Sequence, residues 1–319
     1  MDFYCLGCPV FVNFMIPEFP NFKKLELTDK EEVEKFTSKF PPYSDFNFTS
    51  LWAWDTNGKR MISKLNGNLV VQFTDYETCE PFFSFLGTNK PEHTARELIH
   101  FAEKSGVSST LRFVPEESIK DLLKSDLLVE EDRDNFDYIF SVSELASLRG
   151  IKFKEKRHSA DGFLREYPDA RFEFKELGDT VIREQIVAVF HSWINKKELD
   201  KKAYDFEQEE IAIKRSLKTA SQQGLVVSCI YLHDIMIGFS IDEILPFQYS
   251  ISHFIKADIT HQGIYDFLNR KLAQYLSSQG IAYWNWEQDL GIEYIKKSKT
   301  SYRPVNFLKK YKVSLINKK

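Results

Sequence analysis

The chain has 319 residues, 43% hydrophobic and 28% charged, a globular composition that excludes a wholly disordered protein and suits two domains. Aromatic residues reach 15%, with 28 Phe, 14 Tyr and 5 Trp, enough for a large core or deep aromatic-walled pockets. The net charge of −4 argues against a grip on nucleic acid by the protein's charge as a whole.

The first sixteen residues are apolar and hold no Lys or Arg, so the positive region of a secretory signal is missing. They are shorter than the roughly 20 residues a membrane-crossing helix needs. Residues 1–20 read as an N-terminal extension, and the chain as soluble and cytoplasmic. Cys5 and Cys8 form a C-x-x-C, but no further ligands lie nearby, so no metal is expected.

Thr28–Phe40 reads as a helix, with Thr28 and Asp29 at its start and an apolar stripe of Val33, Phe36 and Phe40. Leu51–Trp54 is an aromatic cluster. Met61–Leu65 and Leu69–Phe73 around Asn66-Gly67-Asn68 signal a hairpin. Phe82–Leu86 is a strand, Pro91–Lys104 a helix, Leu111–Val114 a strand and Glu116–Lys124 a helix. Tyr138–Val142 is a strand, followed by a short helix at Ser143–Leu148.

Further on, Ala160–Tyr167 is helical and Phe172–Leu177 alternates as a strand. Thr180–Lys197 and Glu207–Ser221 carry helical apolar faces. Leu225–Leu232, Ile235–Ile244 and Gln248–Ala257 read as three antiparallel strands. A helix at Gly263–Gln279, a strand at Ile281–Glu287, a helix at Gly291–Lys299 and a final strand at Arg303–Tyr311 complete the chain. That order matches the N-acyltransferase, or GNAT-like, fold, and the first half shows a weaker version of it. The expected fold class is therefore α+β: two tandem GNAT-like domains, each a mixed, mainly antiparallel sheet flanked by helices.

Charge separates the same halves. Residues 1–150 hold 16 basic and 25 acidic side chains, and residues 151–319 hold 27 and 22. The expected domains are residues 21–149 and 150–319. The basic second half is the better place for an anionic ligand, although unequal solvated faces would look the same.

Four stretches could carry chemistry. In Ala257–Tyr265, His261, Gln262 and Gly263 precede a helix whose N-terminal N–H groups could hold the pyrophosphate of an acyl-CoA. An ordinary strand–helix turn is the plain alternative. In Trp284–Gly291, Glu287 and Asp289 follow a strand end, where ligand crevices open. Either could act as a general base beside aromatic walls, or Asp289 could simply cap the next helix. In Gly150–His158, alternation of an extended segment would put Lys152, Lys154 and Lys156 on one face, with Arg157 able to clasp an anion. In Lys296–Pro304, Lys299 sits at a helix end and Tyr302 where a general acid would fall. No G-x-S-x-G, HExxH, G-x-x-x-x-G-K-[ST] or G-x-G-x-x-G is present.

Taken together, these residues resemble a known family, the soluble relatives of the phosphatidylglycerol lysyltransferase C-terminal domain. The matching stretches are Phe136-Asp-Tyr138, Leu145 through Arg157, Phe163, Gly238-Phe239, Lys256-Ala257, Gly263-Ile-Tyr265, Glu287-Gln-Asp289-Leu-Gly291 and Lys299 through Pro304. Ser44 through Trp54 also fits. His158 departs from the family pattern. The resemblance implies tandem GNAT-like domains and an acyl- or aminoacyltransferase that moves its group from CoA or aminoacyl-tRNA to an amine or hydroxyl. The multi-span membrane domain of the lipid-modifying members is absent from this sequence, which counts against a lipid acceptor.

On that reading Glu287, Asp289 and Tyr302 are catalytic. Lys152, Lys156, Arg157, Lys256, Tyr265, Trp286 and Lys299 bind substrate. His261, Gln262 and Gly263 bind the donor cofactor. No tightly bound cofactor is expected, tRNA is a candidate partner, and Trp284, Trp286, Tyr265 and Tyr302 should include pocket walls. The competing reading is a non-catalytic small-molecule-binding or regulatory protein on a degenerate acyltransferase fold.

Overall fold

A computed structural model describes residues 15–75, 78–176, 179–196 and 206–316. Cys5, Cys8 and most of the N-terminal extension lie outside them. The described residues form an α+β protein of three sheets.

The first sheet joins β1 (Lys23–Lys24), β2 (Met61–Leu65), β3 (Asn68–Thr74) and β4 (Pro81–Leu86) in sequence order, all antiparallel. Asn66 and Gly67, both at positive φ, make the β2–β3 turn, as their residue types demand. Helices α1 (Lys30–Thr37), α2 (Phe48–Ala53) and α3 (Pro91–Ser105) accompany this sheet. A small sheet sets β14 (Lys310–Leu315) between β5 (Leu111–Pro115) and β6 (Leu127–Glu131), with α4 (Glu116–Ile119) beside them.

The large sheet has seven strands: β13 (Asn306–Leu308), β7 (Asp137–Ser141), β12 (Tyr283–Asn285), β11 (Tyr249–Ala257), β10 (Ile235–Leu245), β9 (Leu225–Leu232) and β8 (Arg171–Lys175). Two apolar cores flank it. One holds α5 (Val142–Ser147), α6 (Lys154–Glu166) and α9 (Ile264–Ser278). The other holds α7 (Thr180–Lys196) and α8 (Phe206–Gln223). The last helix, α10 (Glu293–Ser301), has no buried residue. Among the described residues no helix is long and apolar enough to cross a membrane.

The halves exchange strands. β7, from the acidic half, lies inside the large sheet, and β14, from the basic half, lies inside the small one. The single final strand expected over Arg303–Tyr311 is instead two strands in two sheets, separated at Lys309. A buried charge cluster marks the crossing. Lys310 Nζ donates to Asp137 at 2.7 Å and Ser44 at 3.0 Å and also meets Asp45. Fully buried charges persist only when matched in this way.

A second departure concerns the basic segment. Residues 154–166 are helical, not extended, so Lys152, Lys154 and Lys156 do not line one face by alternation. Phe153, Ala160 and Phe163 are buried at helical spacing, and that apolar face outweighs the alternating charge.

Candidate active site

The site begins where two parallel strands part. β11 pairs with β12 only from Tyr249–Ile251 to Tyr283–Asn285, and β11 then runs on to Ala257. His253 and Lys256 of the diverging stretch and Trp286 and Glu287 after β12 line a cavity of about 1520 Å³. The cavity continues to Ser50, Trp54, Arg60 and Phe73 of the first half.

Glu287 sits at the head of this gap with φ +58°, an uncommon backbone for a residue bearing a side chain. Its N–H donates to Asn285 Oδ1 at 2.7 Å, and its carbonyl accepts the Tyr138 N–H at 3.1 Å. Lys299 Nζ gathers the carbonyls of Trp286, Glu287 (3.2 Å) and Gln288 (2.6 Å), so one ammonium templates the whole turn. Burial pushes Lys299 down to about 8, against the pull of Glu287, Asp137 and Asp289.

The Glu287 carboxylate is held by His253, whose Nδ1 lies 3.3 Å from Glu287 Oε1 and whose Nε2 lies 3.2 Å from Glu243 Oε2. The His253 side chain is 1% exposed. Burial alone would lower its pKa, but the hydrogen bonds and charges of Glu243 and Glu287 carry it up to about 9. A buried imidazole set between two carboxylates in this way favours its charged form. Burial works against the charge of Glu243 too, yet His253 and Asn47 hold its carboxyl below the ordinary range. The first half closes the cluster. Asn47 caps α2 by accepting the Ser50 N–H at 3.1 Å, while its Nδ2 donates to Glu243 at 3.0 Å. Ser50 Oγ stands 3.3 Å from His253 and 3.4 Å from Glu287.

Asp289 differs from Glu287 in every respect. It is 1% exposed and does not line the cavity. Its Oδ1 accepts the Gly291 N–H at 2.9 Å, and its Oδ2 accepts the Tyr138 hydroxyl at 2.5 Å with Arg133 at 3.4 Å.

Lys256, Tyr265, Trp286, Lys299 and Tyr302 all line the cavity with Glu287. Lys256 is paired to Glu209 at 2.8 Å and lies 4.3 Å from the Trp193 ring centre. The Tyr265 hydroxyl accepts the Ala257 N–H at 3.1 Å. The Tyr302 hydroxyl donates to Asp266 and accepts from Asn269 at 3.1 Å, and burial, then Asp266, raises its pKa well above normal. Trp284 is not a wall: it is fully buried, with its N–H on Ser252 at 2.8 Å.

The remaining sequence candidates stand elsewhere. Lys152 and Lys156 line a separate outer groove of about 640 Å³, where Lys152 pairs with Glu144 at 2.7 Å. Lys156 pairs with Asp266 at 3.3 Å and covers the Tyr302 ring at 3.8 Å. Arg157 donates to the carbonyls of Leu148 and Gly150, closing the turn after α5. His261, Gln262 and Gly263 do not line the cavity. Gly263 has φ +85°, and a Cβ there would lie 2.4 Å from the Ser159 carbonyl of α6.

Sequence reading missed His253, Glu243, Asn47 and Ser50. The available signal was the acidic pair Asp242-Glu243 and the lone His253 inside strands largely buried on both faces.

The family described as phosphatidylglycerol lysyltransferase, C-terminal, matches residues 38–314. A conserved protein of unknown function from Bacteroides thetaiotaomicron has a similar structure, with a TM-score of 0.82 and 27% identity over 95% of this chain and 100% of that one. The L-PGS of Bacillus licheniformis superposes with a TM-score of 0.63 at 15% identity, over 96% and 95% of the two chains. An uncharacterized protein of Mycoplasmoides gallisepticum is 29% identical over 193 residues, 59% of this chain and 58% of that protein's length.

Proposed function

The chain belongs to the phosphatidylglycerol lysyltransferase C-terminal family, and from that premise we propose that it is an acyl- or aminoacyltransferase built on tandem GNAT-like halves. It would move an acyl or aminoacyl group from aminoacyl-tRNA or CoA to an amine or hydroxyl acceptor. The observation that carries this reading is the Glu287 carboxylate, 17% exposed, set at the strand divergence and braced by a buried imidazolium. The cavity, at about 1520 Å³, exceeds the roughly 300–1,000 Å³ of an ordinary single-ligand pocket, which suits two substrates meeting.

In this scheme the acceptor attacks the ester or thioester carbonyl directly and Glu287 takes the acceptor's proton; the donor's C–O or C–S bond then breaks, the leaving oxygen or sulfur takes up a proton from Glu287 or solvent, and no covalent enzyme intermediate forms. Glu287 could equally hold the ammonium of an aminoacyl donor, with Trp286 and Tyr302 as aromatic walls. Asp289, spent on Gly291, Tyr138 and Arg133, serves as scaffold for the turn. Lys299 does the same from the other side, and Tyr302 positions a wall.

The test offers aminoacyl-tRNA and acyl-CoA donors to amine and hydroxyl acceptors and compares the protein with its Glu287→Gln variant. Equal turnover in the two removes the assignment. A tRNA donor would also show tRNA binding that weakens steeply with salt. The packing of Gly263 on Ser159 favours a second reading, a non-catalytic binder, because the α6 backbone lies against the glycine that opens the helix expected to take the donor pyrophosphate. Thermal stabilisation by a small metabolite, without turnover from either donor, would support that reading.

A further inference from the structure

The first-half wall of the cavity carries charge that the proposed chemistry does not use. Arg60 lines the cavity and is 6% exposed. Its Nη1 donates to the Leu51 carbonyl at 3.0 Å, and its guanidinium lies 4.8 Å from the Phe73 ring centre. Its Nε is buried with no hydrogen-bond partner. Among the described residues no carboxylate forms an ion pair with it. Asp55 Oδ1 accepts the Arg60 backbone N–H, at 2.9 Å.

Arg215 shares the neighbourhood of Asp55. It donates to the Trp52 carbonyl through Nε at 3.0 Å and Nη2 at 2.8 Å. Burial holds it below the usual guanidinium range, with Asp55 opposing and Arg60 adding to the shift. Both guanidinium groups donate to backbone carbonyls, of Leu51 and Trp52, and neither has an ion-pair partner among the described residues. Capping α2 explains one nitrogen of Arg60, but it leaves the buried Nε and the excess charge unmatched.

Arg112 lies on the same wall, over Phe82 at 4.6 Å and Phe113 at 5.6 Å. Those rings join Phe73 in one cluster, so both guanidinium planes are fixed by a common aromatic support. Asp75 meets Arg112 Nη1, while the Arg112 Nε is buried without a partner. Of the other acids of this wall, Asp132 is paired with Lys312 at 3.4 Å and Asp45 with Lys310, while Asp134 has no ion-pair partner among the described residues.

We propose that this wall is a binding subsite for a compact oxyanion, the phosphoryl or carboxylate group of a ligand lying in the cavity, held by Arg60 and Arg112. A guanidinium fork matches either group in shape and charge. That the oxyanion belongs to a transferase substrate rests on the reading above; the binding itself does not.

Calorimetric titration of the full chain at low ionic strength, with inorganic phosphate and with acetate, tests it and separates the two sources. At least one anion should bind saturably. Arg60→Gln should weaken that binding about tenfold or more, and Arg112→Gln should weaken it severalfold. Arg60→Lys keeps the charge beside the α2 carbonyls, guards against a folding failure, and should still weaken binding because the fork is lost. Lys297→Gln, in the outer groove, should change nothing. No binding of either anion, or equal loss in the Lys297 variant, overturns the subsite. The titration contains no donor or acceptor, so a protein that binds phosphate yet transfers nothing counts against the transferase alone.

Discussion

Two strand-to-helix junctions lie side by side in the large sheet: residues 257–263 after β11 and residues 286–292 after β12. From sequence both were candidates, each a strand end followed by a helix start, with the carboxylates of the second the stronger signal. In the structure α6 packs over the first, and Gly263 is shaped by Ser159. The second faces the cavity and holds Glu287 in a left-handed backbone by a web of bonds. Local chain direction creates a crevice only where a neighbouring element leaves room, and that neighbour is remote in sequence.

The largest expected effect of breaking this contrast is at His253. Replacing it with Gln leaves Glu243 and Glu287 without their shared cation, and removing one partner of a buried ion set costs about 3–5 kcal/mol. Denaturant unfolding measures it. A pH signature accompanies it. The folded pKa of about 9 exceeds the ordinary value of 6.5, so the stability His253 contributes is complete below about 6.5 and lost as pH rises through 9. Lys299 acts oppositely, because its folded value of about 8 lies below the ordinary 10.5 and its penalty is relieved above pH 8. The decline due to His253 is therefore cleanest between pH 6.5 and 8, and it should vanish in the variant. An unchanged slope there would mean the imidazole is neutral in the folded protein.

Glu287→Gln keeps shape and hydrogen bonding while removing the base. Transfer should fall about 10²-fold or more, read as kcat with saturating donor. Asp289→Asn, two residues away, sharpens the comparison. It should lower stability by about 1.5–3 kcal/mol through the weakened Tyr138 and Arg133 bonds. A loss of transfer in Asp289→Asn as large as in Glu287→Gln, at unchanged stability, would reverse the two roles.

Much of this architecture was legible. Asn66-Gly67 fixes its hairpin by backbone preference alone, and Pro91 and Gly106 bracket α3 at the positions they favour. The strand exchange was not, because the pairings of β7 and β14 join segments far apart along the chain. β6 escaped notice because an edge strand ending in Glu130-Glu131 lacks a buried alternating face. At the site, Glu287 could be read from its place after a strand. His253 could not, since its meaning comes from Glu243 on β10 and from Ser50 and the Glu243 partner Asn47 at the start of α2, which are remote from it along the chain.

Gly263→Ala probes the closed junction. The residue has φ +85°, and its new Cβ would press on the Ser159 carbonyl, so α6 and α9 must shift apart. A cost of about 1–3 kcal/mol is expected in thermal or denaturant unfolding. Catalytic constants of the folded fraction should stay close to those of the parent if the junction is packing alone.

The smallest effect is the most discriminating. His261 leans on Tyr167, with ring centres 5.0 Å apart, and stands 3.8 Å from Asp258, while Gln262 is exposed. Neither lines the cavity. Replacing both with Ala should move stability by no more than about 0.5 kcal/mol, the ordinary range for surface changes. If donor phosphates bind at this helix start, the same double variant should raise KM for an acyl-CoA donor about tenfold, because a charge-assisted hydrogen bond is worth that much. An unchanged KM leaves the oxyanion to the arginine wall at the far side of the cavity. A raised KM with unchanged stability would show that α6 moves aside when donor binds, and the distinction between the two junctions would become one of ligand state.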